Sequence, residues 1–234
     1  MASIKHYIKV VYNFIFELIF PRFCVGCNQE GTWLCSSCFQ KIVKVSSQVC
    51  PGCGRLSPQG RYCLKCRKGK FLKGIIAAVY FEEGPTQEII HNFKYNSVLE
   101  FGPILGEIML EKIDEIPGKN RIITYVPLHQ KRLAQRGYNQ AELLTREIAN
   151  IKKMEVNNLI VKIKHTKRQV GLVRQKRRKN LQGVFKVREG IAIKNKNIIV
   201  IDDITTTGAT LNECARVLKN AGAKDVWGLV VARG

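Results

Sequence analysis

Two hydrophobic rhythms alternate downstream of about Phe71. Short continuous apolar runs predict buried strands, and apolar residues recurring every three or four positions predict helices with one buried face. The runs are AAVYF (Ala77 to Phe81), RIITYV (Arg121 to Val126), LIVKI (Leu159 to Ile163), NIIVID (Asn197 to Asp202) and VWGLVVA (Val226 to Ala232). Leu105, Ile108, Met109 and Ile113 mark one helical face, and Leu211, Cys214, Ala215 and Leu218 mark another. Asn139 followed by Glu142 has capping-box spacing ahead of a helix through about Asn150. Gly222 ends the last helix. Strands alternating with helix-length segments predict an α/β fold, a mostly parallel sheet flanked by helices, with VWGLVVA closing it.

The pattern upstream is different. Val10, Val11, Phe14, Leu18 and Ile19 recur at helical spacing, interrupted by Lys5, Lys9 and Glu17. No run there approaches the roughly 20 apolar residues that cross a bilayer, and no small-residue cleavage site follows. An amphipathic helix is expected, packed on the body or lying as a peripheral contact on a membrane surface. Short loops rich in Cys, Gly and Pro follow. The expected divisions are residues 1–22 (the helix), 23–70 (the cysteine-rich part) and 71–234 (the α/β domain).

Eight of the nine cysteines fall into four pairs of one spacing: Cys24 and Cys27, Cys35 and Cys38, Cys50 and Cys53, Cys63 and Cys66. A CxxC turn places two thiolates where both reach one metal, and two such pairs close a tetrahedral zinc site. Two structural zinc ions are therefore expected. Disulfides are the rival, but no secretory signal places the chain in an oxidising compartment. Sequential pairing needs only short loops; an interleaved arrangement is the alternative. Cys214, on the buried face of a helix, reads as a core residue.

In IIVIDDITTTGAT, Ile198 to Ile201 drive a buried strand to its carboxyl end, where Asp202 and Asp203 follow. Carboxylates there accept hydrogen bonds from two vicinal ribose hydroxyls. Thr205, Thr206, Thr207, Gly208, Ala209 and Thr210 then open a helix, whose backbone N–H groups and positive end favour a phosphate. The two halves suit opposite ends of one ribose 5-phosphate. This segment resembles the 5-phosphoribosyl-1-pyrophosphate (PRPP) signature of type I phosphoribosyltransferases, with Thr205 where that signature usually has an apolar residue. A loop after Val126 is expected to bring Arg132 and Arg136 beside the pocket, where guanidinium groups suit pyrophosphate. Mg²⁺ would accompany the pyrophosphate.

Charge changes the picture again. Lys and Arg number 39 against 18 Asp and Glu, a formal +21, which points to a polyanionic partner. Eight thiolates with two Zn²⁺ subtract four charges and leave about +17. Val156 to Arg188 contains eleven Lys or Arg and no acid. Arg174, Lys176, Arg177, Arg178 and Lys179 are its densest part and the candidate DNA contacts. The polar stretch from Lys164 to Gln182 reads as a mobile loop or an insertion. The stretch from Arg22 to Lys73 adds ten more cations against Glu30 alone. Phe71, Tyr62 and Trp33 are either stacking platforms for bases or core residues.

Taken together, FPRFCVGC, LCSSC, CPGCG, FKYN (around Lys94 and Tyr95), VPLHQKRLAQRGYNQAELL, QVGLVRQKRRKNLQGVF, DDITTTGATLNECARVL and the terminal VVARG resemble the ComF family, the competence-associated phosphoribosyltransferase-like proteins of bacteria. The resemblance implies a type I phosphoribosyltransferase fold with an N-terminal zinc-finger domain of the four-cysteine type. It also implies uptake of single-stranded DNA during natural transformation, on the cytoplasmic side of the membrane, with an ATP-driven helicase-like partner. It supplies no transferred base, so an active phosphoribosyltransferase with an unidentified acceptor is the alternative.

Overall fold

Within each apolar run, alternate residues serve opposite layers. In the strand Asn197–Thr205, Ile198 and Val200 face one core and Ile199 and Ile201 the other. The computed structural model describes residues 21–96, 98–165 and 181–234. Among these residues the strands are β1 (Ile75–Tyr80), β2 (Arg121–Tyr125), β3 (Ile160–Lys162), β4 (Phe185–Val187), β5 (Asn197–Thr205) and β6 (Asp225–Arg233). Four of them form one parallel sheet in the order β1-β6-β5-β2.

Two strand expectations are corrected. VWGLVVA does not close the sheet; β6 lies inside it, between β1 and β5. Val226 to Ala232 are all buried, as a strand covered on both faces and both edges requires. LIVKI does not join the sheet. β3 pairs antiparallel with β4 as a separate two-stranded piece, Lys162 opposite Phe185. β4 is only three residues long, too short to announce itself as an apolar run.

One face of the sheet is covered by α2 (Pro85–Tyr95), α3 (Phe101–Ile113) and α5 (Gln140–Lys152); α1 (Ser36–Gln40) is a short helix of the cysteine-rich region. The three covering helices contribute Phe93, Met109, Leu144 and Ile148 to a core with Ile123, Trp227 and Leu229. The other face is covered by α6 (Ala209–Asn220), the β3–β4 pair and part of the cysteine-rich region. Asn139 caps α5 as expected, its side chain accepting from the Ala141 N–H at 3.1 Å. Glu142 does not complete a capping box; it pairs with Arg146 at 2.7 Å.

The cysteine-rich region is joined to the sheet by backbone pairing. Val45 donates to the Ala78 carbonyl at 2.9 Å and Tyr80 to that of Val43 at 3.1 Å. The Gln48 amide brackets Ala77 in the same way. The segment thus covers the β1 edge, which would otherwise present unpaired backbone groups. The expected amphipathic helix lies almost wholly in residues 1–20, outside the described residues. Among the described residues, no helix is long and apolar enough to cross a membrane.

Candidate functional site

The cysteines assemble into two quartets in sequential pairing: Cys24, Cys27, Cys35 and Cys38, then Cys50, Cys53, Cys63 and Cys66. Four thiolates each about 2.3 Å from one ion at tetrahedral angles stand about 3.8 Å apart. Cys27 and Cys35 sulfurs lie 3.7 Å apart, and those of Cys53 and Cys63 3.8 Å. The Cys35 N–H points at the Cys24 sulfur and the Cys63 N–H at the Cys50 sulfur, each at 3.3 Å. A Cβ at Gly52 would fall 2.8 Å from the Cys66 sulfur, so the turn must hold glycine. Donor type, spacing and backbone support all fit zinc, and these are two four-cysteine zinc-binding sites.

The phosphoribose segment lies at the carboxyl end of β5. Gly208 caps α6 with φ +68, the left-handed region. A Cβ there would meet the Ile75 Cδ1 at 2.7 Å and the Tyr62 hydroxyl at 3.2 Å. Tyr62 adjoins the zinc ligand Cys63, so the second zinc site lies against the loop. Thr205 is buried, and its hydroxyl accepts from the Gly208 N–H at 3.1 Å; it braces the loop from within. Thr206, Thr207, Ala209 and Thr210 surround the helix start, Thr206 exposed and the other three half-buried.

The two aspartates differ. Asp203 is only 3% exposed, and both its oxygens are engaged. Oδ1 takes the Lys94 ammonium at 2.9 Å and the Ile204 N–H at 2.6 Å, and Oδ2 accepts from the Gln140 amide at 2.8 Å. Gln140 in turn accepts from Arg136 at 2.5 Å, and Arg136 lies over the Tyr95 ring at 5.4 Å. Asp202 uses Oδ1 to accept from the Asp203 N–H at 2.9 Å. Burial first, then the charge of Asp203, push the Asp202 carboxyl up to about 8. Asp203, paired with Lys94, is the anchor of the site, and Asp202 is the poised group.

Arg132 and Arg136 belong to a helix, not a loop: α4 (Gln130–Arg136), capped by His129, whose Nδ1 accepts from the Lys131 N–H at 3.2 Å. Facing it is Lys162 of β3, which the sequence did not single out. Burial pulls its ammonium down and the Arg132 charge adds to this, while Asp202 acts in the opposite sense. His165, the last described residue before the basic stretch, meets His129 edge-on at 5.2 Å. On the far side of that stretch the Gly183 N–H donates to Glu213 of α6 at 2.9 Å. Arg174, Lys176, Arg177, Arg178 and Lys179 lie outside the described residues. Of the stacking candidates, Tyr62 is buried and Trp33 packs 6.0 Å from Phe101, whereas Phe71 is exposed.

Residues 15–67 match the double zinc ribbon domain, and residues 134–233 the phosphoribosyl transferase domain. Competence protein F of Haemophilus influenzae is 32% identical over 228 residues, covering 89% of this chain and 96% of that protein. The chain belongs to the ComF family. Competence protein ComFC of Bacillus subtilis is 27% identical over 223 residues, covering 85% of this chain and 89% of that one. DNA utilization protein YhgH of Escherichia coli K12 is 25% identical over 224 residues, covering 90% and 97%. This ComF-family chain thus combines a type I phosphoribosyltransferase fold with an N-terminal double zinc ribbon.

Two outcomes follow from the site. Chelation of zinc should unfold residues 23–70, since a structural zinc contributes roughly 10 kcal/mol of apparent folding free energy. Proteolysis before and after chelator reads this as new cleavage there. For Asp202, the folded state holds a proton that the unfolded chain releases near pH 4. Its contribution to stability therefore falls as pH rises from about 4 to about 8. Asp202→Asn removes that loss, so its gain in Tm should be larger at pH 8 than at pH 5; equal gains would contradict the burial.

Proposed function

We propose that this protein binds PRPP with Mg²⁺ at the β5–α6 loop and binds single-stranded DNA in natural competence. The observation that carries the reading is the strand end of β5, where Asp202 precedes the Gly208-capped helix start and the cationic pair Arg132 and Lys162 lies within electrostatic reach of it. Thr206 to Thr210 hold the 5-phosphate. Asp202, with Asp203 fixed behind it, holds the ribose hydroxyls, and Arg132 and Arg136 take the pyrophosphate. The names of the relatives, two competence proteins and a DNA utilization protein, support the competence setting. The basic stretch carrying Arg174 and Lys176 to Lys179, whose described flanks are His165 beside His129 and Gly183 bonded to Glu213 of α6, is assigned to DNA. Work on the cytoplasmic side with an ATP-driven partner belongs to the same proposal.

If pyrophosphate leaves, the ribose carbon becomes cation-like, and the site acts by positioning and by stabilising the departing charge. Arg132→Ala separates the two ends of the ligand. It should weaken PRPP about tenfold or more, one charge-assisted contact's worth, and leave ribose 5-phosphate within about twofold. Equal weakening of both ligands, or no PRPP binding by the unaltered protein, would overturn the assignment. Pyrophosphate release followed with and without single-stranded DNA or free bases decides turnover; release that needs an acceptor makes the protein a transferase.

A further inference from the structure

All four strands of the main sheet run the same way, so the phosphoribose pocket occupies one pole and the strands' amino ends the other. At that second pole lie two cavities of about 630 and 610 Å³ that share Gly118, Lys119 and Asn120. Together they form one trough crossing the starts of β6, β5 and β2 and continuing towards the end of α5. We propose that this trough carries the phosphate backbone of a single-stranded nucleic acid, a site separate from the phosphoribose pocket. The choice of a single strand rests on the reading given under Proposed function; the anionic nature of the ligand does not.

Charge is the first argument. Arg61, Lys119, Lys194, Lys196 and Lys224 line the larger cavity against one carboxylate, Asp225, which already pairs with Lys73 at 3.2 Å. The smaller cavity adds Arg121, Lys152 and Lys153 against Asp114, which pairs with Lys152, and Glu155. Among the described residues, Lys119, Lys153, Lys194, Lys196 and Lys224 form no ion pair. Cations at this pole have an ordinary use, because α3, α5 and α6 end here and helix ends carry negative partial charge. Lys112, Lys152 and Lys219, in the last turns of those helices, answer that need. The trough lysines at 119, 194, 196 and 224 sit instead on the turns that lead into strands; of these, Lys194 packs against Gly222, just past the end of α6.

Those turns are held in place. Asn120 and Asn195 adopt left-handed φ of 51 and 60. The Asn197 amide donates to the Lys119 carbonyl at 2.8 Å, tying one turn to the next strand. The Arg61 guanidinium lies over the Trp227 ring at 5.0 Å. Trp227 is only 2% exposed, so it supports the cation and offers no face to a base. The trough therefore reads phosphate and not sequence. Three adjacent strand starts span about 10 Å, more than one phosphate group, and the second cavity extends the path. An extended polyanion fits this length better than a mononucleotide.

The test uses the zinc-loaded full chain and fluorescent oligo(dT), with affinity measured against salt. Each phosphate contact contributes about 0.7 to the log–log slope. The combined variant Lys119→Ala, Lys194→Ala, Lys196→Ala, Lys224→Ala should flatten the slope by up to about 3 and weaken binding at least tenfold. The matching Lys→Arg variant should keep both, and PRPP affinity should not change in either. An Ala variant with the original slope and affinity removes the trough while DNA binding stands. An unaltered protein without affinity for oligo(dT) removes both. Thymidine monophosphate bound as tightly as oligo(dT), and lost in the same variant, makes the trough a small-anion site and overturns the track.

Discussion

At Gly208 the chain turns left-handed where a Cβ would press on the Ile75 Cδ1 and the Tyr62 hydroxyl, and the functional end of the molecule depends on that turn. The obstructing atoms come from two different modules. Ile75 opens the first strand of the sheet, and Tyr62 belongs to the second zinc knuckle. The β5–α6 loop is therefore shaped from outside by the sheet and by a metal-stabilised module, and from inside by the Thr205 hydroxyl. The phosphate site proposed at this helix start needs such rigidity, because donors that must reorganise on binding lose much of their worth. The zinc ribbon is thus part of the pocket's wall as well as a neighbouring domain.

The same constraint governs the acidic pair. Two adjacent carboxylates at a strand end repel each other, and burial raises the cost. Lys94 and Gln140 resolve this by committing Asp203 entirely to the protein, which leaves the strain on Asp202. An ion pair as buried as Lys94 with Asp203 persists because either partner alone would be an uncompensated charge. Its contribution is placement: it joins α2, β5 and α5 and, through Gln140 and Arg136, couples the aspartates to the cationic helix. Acidic and cationic groups are thereby held in one connected network, which suits the ligand proposed above, with its hydroxyls and phosphates.

What was legible in the sequence was what lies close together along it. Ile198 to Thr210 could be read because strand, acids and phosphate turn are contiguous, and the two cysteine quartets because short loops favour sequential pairing. Lys94, Gln140 and Lys162 could not, since each reaches the site from a different element and none carries a local signature. FKYN and GYNQ did flag the first two as part of a family pattern, without their roles. Seven residues give too few turns for periodicity, so the helix holding Arg132 and Arg136 reads as a loop in the sequence. The β3–β4 pair escapes for the same reason, at three residues a strand. The trough at the amino ends is assembled from five separate segments, which no linear pattern records.

The central claim is that the Gly208 turn builds a phosphate cradle. Calorimetric titration of ribose 5-phosphate into the unaltered protein and into Gly208→Ala tests it most directly. A left-handed alanine costs about 1–2 kcal/mol, so the variant is expected to stay folded with its loop displaced. The account predicts one binding site in the unaltered protein and a loss of about tenfold or more in the variant. Equal affinity in the two proteins, or no binding to the unaltered one, would contradict it.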